Sequence, residues 1–186
     1  MHKIEPFYLW RDYYTAEDDP NSLTYGKEYD EFFFHDKIYN FVIHPQWDSF
    51  GSETLYFKLL FVEYDQRFCV IELIGEWNDC INNDVMVLKT ELAELLMDAG
   101  IEHFIFIVEN VLNFHAMDMD YYEEWKEEEV NIYFINAQPQ VIDELDQHQM
   151  SQYIHYDEPL NELAWRIQKP DRMLEFISKK LKMVQI

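Results

Sequence analysis

The chain has 186 residues, 48% apolar and 27% charged, which suits one packed domain and excludes wholesale disorder. Fourteen Lys and Arg against 37 Asp and Glu leave a formal charge of −23, which repels nucleic-acid phosphates and anionic lipid headgroups. The longest apolar run, Phe104 to Val108, has five residues, whereas a membrane helix needs about 20.

Residues 1–36 set Phe7, Tyr8, Trp10, Tyr13, Tyr14, Tyr25, Tyr29 and Phe32 to Phe34 among nine acids with no sustained period. Disordered tails are poor in aromatics, so this is read as an irregular arm packed on the body or on a partner. Residues 37–186 are predicted to form a single α/β domain. Ile38 to Ile43 alternates as a strand, and residues 44–52 supply Pro, Gly, Ser and Asp for a long loop. Thr54 to Tyr64 alternates with Leu55, Phe57, Leu59 and Phe61 on one face and Tyr56, Lys58, Leu60 and Val62 on the other. A short turn at Asp65-Gln66-Arg67 leads into a strand from Phe68 to Ile74 that ends at Gly75.

From Asp79 the period becomes helical. Val85, Leu88, Leu92, Leu95, Leu96 and Ala99 form one stripe, started by a cap at Asn82, Asn83 or Asp84 and stopped by Gly100. His103 to Val108 is apolar on both faces, as a covered parallel strand is, and a polar loop follows it. Asp120-Tyr121-Tyr122-Glu123 has the form of a capping box opening a helix to about Glu129. Ile132 to Ile135 is a further buried strand, and Pro139 opens a third helix. Tyr153 to Tyr156 and Leu160 to Ile167 are predicted edge strands, and Pro170 starts the last helix, whose Lys169, Arg172, Lys179, Lys180 and Lys182 break the acidic trend. The predicted fold is therefore α/β: a mixed sheet, an antiparallel meander joined to parallel βαβ units, flanked by helices.

The strand Val70-Ile71-Glu72-Leu73-Ile74-Gly75-Glu76, the amphipathic helix ended by Gly100-Ile101 and the apolar strand after it resemble the anti-sigma-factor-antagonist (STAS) type of domain over about residues 68–136. The resemblance implies a STAS-like fold and a non-enzymatic switch or binding module, in some members holding a lipid or nucleotide-like ligand. That family's switch form carries Asp-Ser-Ser-Gly after the second strand. Here Glu109 to Ala116 holds no hydroxyl residue, so a serine switch at that place is excluded.

Ligands of open α/β sheets sit beyond the carboxyl ends of the parallel strands. That rule selects Glu76, Trp77 and Asp79 after the first such strand, and Glu109, Asn110, Asn113 and His115 after the second. His115, Asp118 and Asp120 are an alternative, metal-binding set, although acids at a helix start suit its dipole without a metal. No catalytic residue or cofactor is assigned. The four glycines, Gly26, Gly51, Gly75 and Gly100, are too scattered for a phosphate loop, and Cys69 and Cys80, eleven apart with no close His pair, make neither a zinc set nor a disulfide framework. With no apolar signal core at Met1 to Pro6, the expected location is cytoplasmic. The leading expectation is a non-catalytic regulatory or interaction module for a protein partner or a second copy, with Tyr8, Trp10, Tyr13, Tyr14 and Trp47 as its contact surface. A small-molecule or divalent-metal site at the strand ends is the alternative.

Overall fold

The protein is described by a computed structural model covering residues 4–30, 32–117 and 119–183. Its mixed sheet has five strands in the order β3-β4-β5-β6-β7: β3 (Leu55–Glu63), β4 (Phe68–Asn78), β5 (His103–His115), β6 (Asn131–Ile135) and β7 (Ile154–His155). β3 is antiparallel to β4, and every later strand is parallel to the one before it. A separate small hairpin precedes them, β1 (Lys37–Ile38) and β2 (Phe41–Val42).

Parallel strands added always on the same side keep their crossover helices on one face of the sheet. Those helices are the broken segment α1 (Asp79–Asn82), α2 (Asp84–Val87), a π-helical turn (Leu88–Ala93) and α3 (Glu94–Asp98), followed by α4 (Asp120–Glu127) and α5 (Pro139–Gln147). Leu88, Leu92, Trp125, Val141 and Leu145 pack there against Phe57, Ile71, Phe104, Phe106 and Phe134 in the main core. On the opposite face α6 (Met173–Lys182) sets Met173 and Ile177, with Trp10 and Trp165, against Phe68, Val70, Ile105 and Ile107. Each such side chain, fully buried, contributes about 1.5–3 kcal/mol of transfer free energy. The hairpin forms a third cluster, Ile38, Ile43 and Trp47 on Tyr56 and Ile74.

Several expectations are corrected in detail. The strand predicted over 38–43 is folded in two, because Tyr39 takes φ 53° and turns the chain. Within β3 one extra residue, Leu60, lies between the partners of Ile71 and Val70, so this bulge sends Leu60 and Phe61 together to the second face and Val62, not Phe61, to the main core. β4 runs past Gly75 to Asn78, and β5 continues through the predicted loop to His115. The helix from Asp79 is interrupted at Asn83, which is left-handed, and the π-helical turn then rotates Leu95 outward while Leu92, Ala93 and Leu96 stay buried. Gly100 stops it as predicted, with φ 95° and Ile101 N–H bonded to Leu96 O.

Asp120 is the first helical residue and not a cap; Glu123, the other end of the predicted box, accepts a hydrogen bond from Tyr153 Oη at 3.0 Å. No strand forms over 160–167. Asn136 takes the polar groups of that segment itself: its N–H bonds Leu160 O, its amide donates to Leu163 O, and its Oδ1 accepts from Leu163 N–H. The arm is mixed. Trp10 is core, Phe7 and Tyr14 are half-buried against it, and Tyr8, Tyr13, Phe32 and Phe33 are exposed.

Candidate functional site

The site starts at Gly75. With φ at +125°, any Cβ there would stand 2.0 Å from Thr54 O, so only glycine fits. Glu76 N–H donates to the same oxygen at 3.0 Å, and Thr54 Oγ1 donates to Glu76 O at 3.0 Å. The pinned strand then alternates, sending Glu76 to the face opposite the crossover helices and Trp77 into the main core.

Two irregularities shape β5 beside it. Against β4, one extra residue enters between Ile107 and Asn110, and another between Val111 and Asn113. Val108, Val111 and Phe114 consequently face the main core at intervals of three, and the remaining side chains crowd onto the other face. There Glu76 Oε2 accepts from Tyr39 Oη at 2.8 Å, Glu76 Oε1 faces His115 Nε2 at 3.2 Å, and Asn113 Nδ2 lies 3.5 Å from Tyr39 Oη. The hydrogen bond to Glu76, with burial in second place, raises the Tyr39 phenol above its ordinary pKa and keeps it a donor.

Tyr39 of this cluster also lines an apolar groove of about 620 Å³ between the hairpin and the sheet, walled by Ile38, Tyr39, Val42, Ile43, Ile74 and Leu112, with Ile4, Phe41 and Asn110 completing it. Its volume and predominantly apolar lining, with Tyr39 and Asn110 as the polar side chains, are those of a small-molecule site.

The predicted ligand residues thus divide. Glu76, Asn113 and His115 assemble, and Asn110 lines the groove. Trp77 and Asp79 do not join them: Trp77 Nε1 and Tyr122 Oη each donate to the Asp79 carboxylate at 2.8 Å, and Val85 N–H does so at 2.9 Å. Burial pushes Asp79 up to about 6 against those three donors, and the carboxylate closes the broken start of the crossover helix from inside. Glu109 is also diverted, since Arg166 pairs with it through both terminal nitrogens. The guanidinium lies 4.4 Å from the Trp165 ring centroid and 4.0 Å from Glu72, whose buried carboxylate accepts from Phe7 N–H at 2.8 Å.

Of the alternative metal set, His115 is paired with Glu76, Asp120 opens α4, and Asp118 lies outside the described residues. Among the described residues no group of three or more His, Cys, Asp or Glu side chains could hold a metal ion. Cys69 is buried in the core, where desolvation raises its thiol pKa, and the Cys80 thiol points at the carbonyl oxygens of His115 and Ala116 at 3.8 and 3.6 Å. The proposed contact surface loses two of its anchors: Trp10 is buried in the second core, and Trp47 is buried with its indole N–H donating to Ile4 O at 2.9 Å.

Sequence reasoning missed Tyr39, Ile74 and Leu112, and also Glu72. The last had a signal, a lone acid within the apolar run Phe68 to Ile74. No protein-family model matches the chain, and no curated protein matches it. Among the described residues no helix is long and apolar enough to cross a membrane.

Proposed function

We propose that the protein is a non-catalytic binding module that captures a small, largely apolar ligand in the groove between the β1–β2 hairpin and the carboxyl ends of β4 and β5. The observation that carries this reading is the groove itself: apolar walls and a volume of about 620 Å³, with Tyr39 on the wall hydrogen-bonded to the neighbouring cluster of Glu76, Asn113 and His115. The place agrees with the rule for open α/β sheets and with the binding role implied by the STAS-type resemblance. The cluster holds no Ser, Thr, Cys or Lys side chain, which favours binding over turnover.

Fluorescence titration with the neutral dye Nile red tests the reading. Saturable binding to the native chain that Leu112→Arg abolishes, with the far-ultraviolet circular dichroism unchanged, is the expected result. Absence of saturable binding, or binding untouched by Leu112→Arg, overturns it. A protein partner is the second reading, favoured by the exposure of Phe32, Phe33 and Phe41. It requires a concentration-dependent native mass, or a captured partner, that is lost when those three are changed to Ser.

A further inference from the structure

Resting on that reading, we infer the chemical class of the ligand: an uncharged apolar molecule with a carbonyl-bearing group, a carboxamide above all, that pairs with the side chain of Asn110 in the groove wall. Asn110 on β5 is the register partner of Ile74 on β4, so the two side chains stand side by side on one face of the sheet, and both line the groove. The other polar side chains of β5 beyond Val108 are engaged by the protein itself. Glu109 is held by Arg166, Asn113 is turned toward Tyr39, and His115 faces Glu76. Asn110 is half-buried, and among the described residues its carboxamide has no hydrogen-bond partner.

A carboxamide presents an Nδ2–H donor and an Oδ1 acceptor next to each other. Solvent satisfies both while the groove is open, so a ligand that excludes solvent has to replace those bonds or leave them unmade. An alkyl chain replaces neither, a ketone answers the donor alone, and a second carboxamide answers donor and acceptor together in a closed pair. Tyr39, the other polar side chain of the lining, has given its proton to Glu76 and has none for a ligand carbonyl. Charge is selected against by the same walls. Among the described residues that line the groove none is charged near neutral pH, since the bond to Glu76 keeps the Tyr39 phenol neutral. An ammonium or carboxylate head entering there leaves water without meeting an opposite charge, so it stays at the rim and draws part of its chain out of the groove.

Displacement of Nile red near neutral pH and physiological salt by four molecules of one chain length (octanamide, 2-octanone, octylamine and octanoate) tests the assignment, with the dye's own affinity measured for each variant. The two neutral molecules are expected to displace the dye at concentrations about ten-fold lower than the two ionised ones. Asn110→Leu, with the far-ultraviolet circular dichroism unchanged, should weaken octanamide about ten-fold and 2-octanone about five-fold, as the loss of two and of one neutral hydrogen bond implies, and leave octylamine and octanoate as they were. Asn110→Asp keeps the shape and brings a charge; it should weaken octanamide likewise and make octylamine the strongest displacer.

An octanamide affinity unchanged in both variants, ionised molecules that displace as well as the neutral ones from the native chain, or no displacement by any of the four overturns the inference while the groove reading stands. Absence of saturable dye binding overturns both.

Discussion

Glu72 lies in the middle of β4 with a side chain only 1% exposed, and it makes the strongest single prediction about stability. Burial pushes its carboxyl from the ordinary 4.5 up to about 7, and the nearby charge of Glu109 adds to the rise, against the hydrogen bond from Phe7 N–H and the more distant Arg166. Lys58 stands directly opposite in register, but its ammonium is held by Glu17 at 2.7 Å and Asp48 at 3.1 Å. Because the folded pKa is the higher one, the folded state binds the extra proton. The contribution of Glu72 to stability is therefore greatest below pH 4.5, falls as the pH rises through about 7, and then levels off.

The span from 4.5 to about 7, at about 1.36 kcal/mol per pH unit, makes an ionised Glu72 cost roughly 3 kcal/mol. Glu72→Gln keeps an acceptor for Phe7 N–H and removes the charge. It should equal the parent near pH 4.5 and exceed it above pH 8 by roughly 3 kcal/mol, or about 6–12 °C in Tm for a chain of this size. Chemical denaturation of both proteins across that range measures the difference directly, since other titrating groups cancel in it. A variant that is less stable than the parent above pH 8, or a difference that does not change with pH, would refute the reasoning.

Gly75→Ala should cost at least about 3 kcal/mol in chemical denaturation, because the new Cβ meets Thr54 O at 2.0 Å and φ is +125°. Trp47→Ala should cost about 3–5 kcal/mol by the same measurement, since a buried indole is deleted and the Ile4 carbonyl loses its donor. Tyr122→Phe withdraws a hydroxyl bonded to the Asp79 carboxylate at 2.8 Å and should cost about 1–3 kcal/mol. The loss of stability between pH 3.8 and about 6, where Asp79 releases its proton, should also grow, because the removed bond favoured the ionised form.

The central βαβ order could be read from the sequence because hydrophobic period and turn chemistry agree there. Leu88, Leu92 and Leu96 repeat at helical spacing, Gly100 ends the segment, and Phe104 to Val108 is apolar on both faces. The half of β5 beyond Val108 was not legible. Its two bulges place Glu109 with Asn110, and Leu112 with Asn113, in succession on one face, so the alternation that marks a strand disappears and a polar loop is the natural reading. The same displacement split the predicted ligand set. Trp77 and Asp79 adjoin Glu76 in sequence, but alternation carries Trp77 to the helix side, and Asp79 follows it by accepting the Trp77 indole N–H. Tyr39 escaped because a positive φ at a tyrosine is uncommon, and nothing at 38–43 except the neighbouring Asn40 announces a turn.

The groove exists because the two halves of the sheet's second face are covered by elements of unequal size. Over Val70, Ile105 and Ile107 lies α6, ten residues long, with Trp10 and Trp165 filling its flanks. Over Ile74 and Leu112, where β4 and β5 extend beyond the end of β6 at Ile135, the cover among the described residues is a hairpin of two-residue strands with Ile4, Ile43 and Trp47. Such a small cover leaves apolar surface in contact with water at about 25 cal/mol for each Å², and an occupant of the groove recovers that free energy. The driving force for binding is therefore apolar contact. For this reason a charge introduced at Leu112, on the wall itself, should remove binding and not merely weaken it.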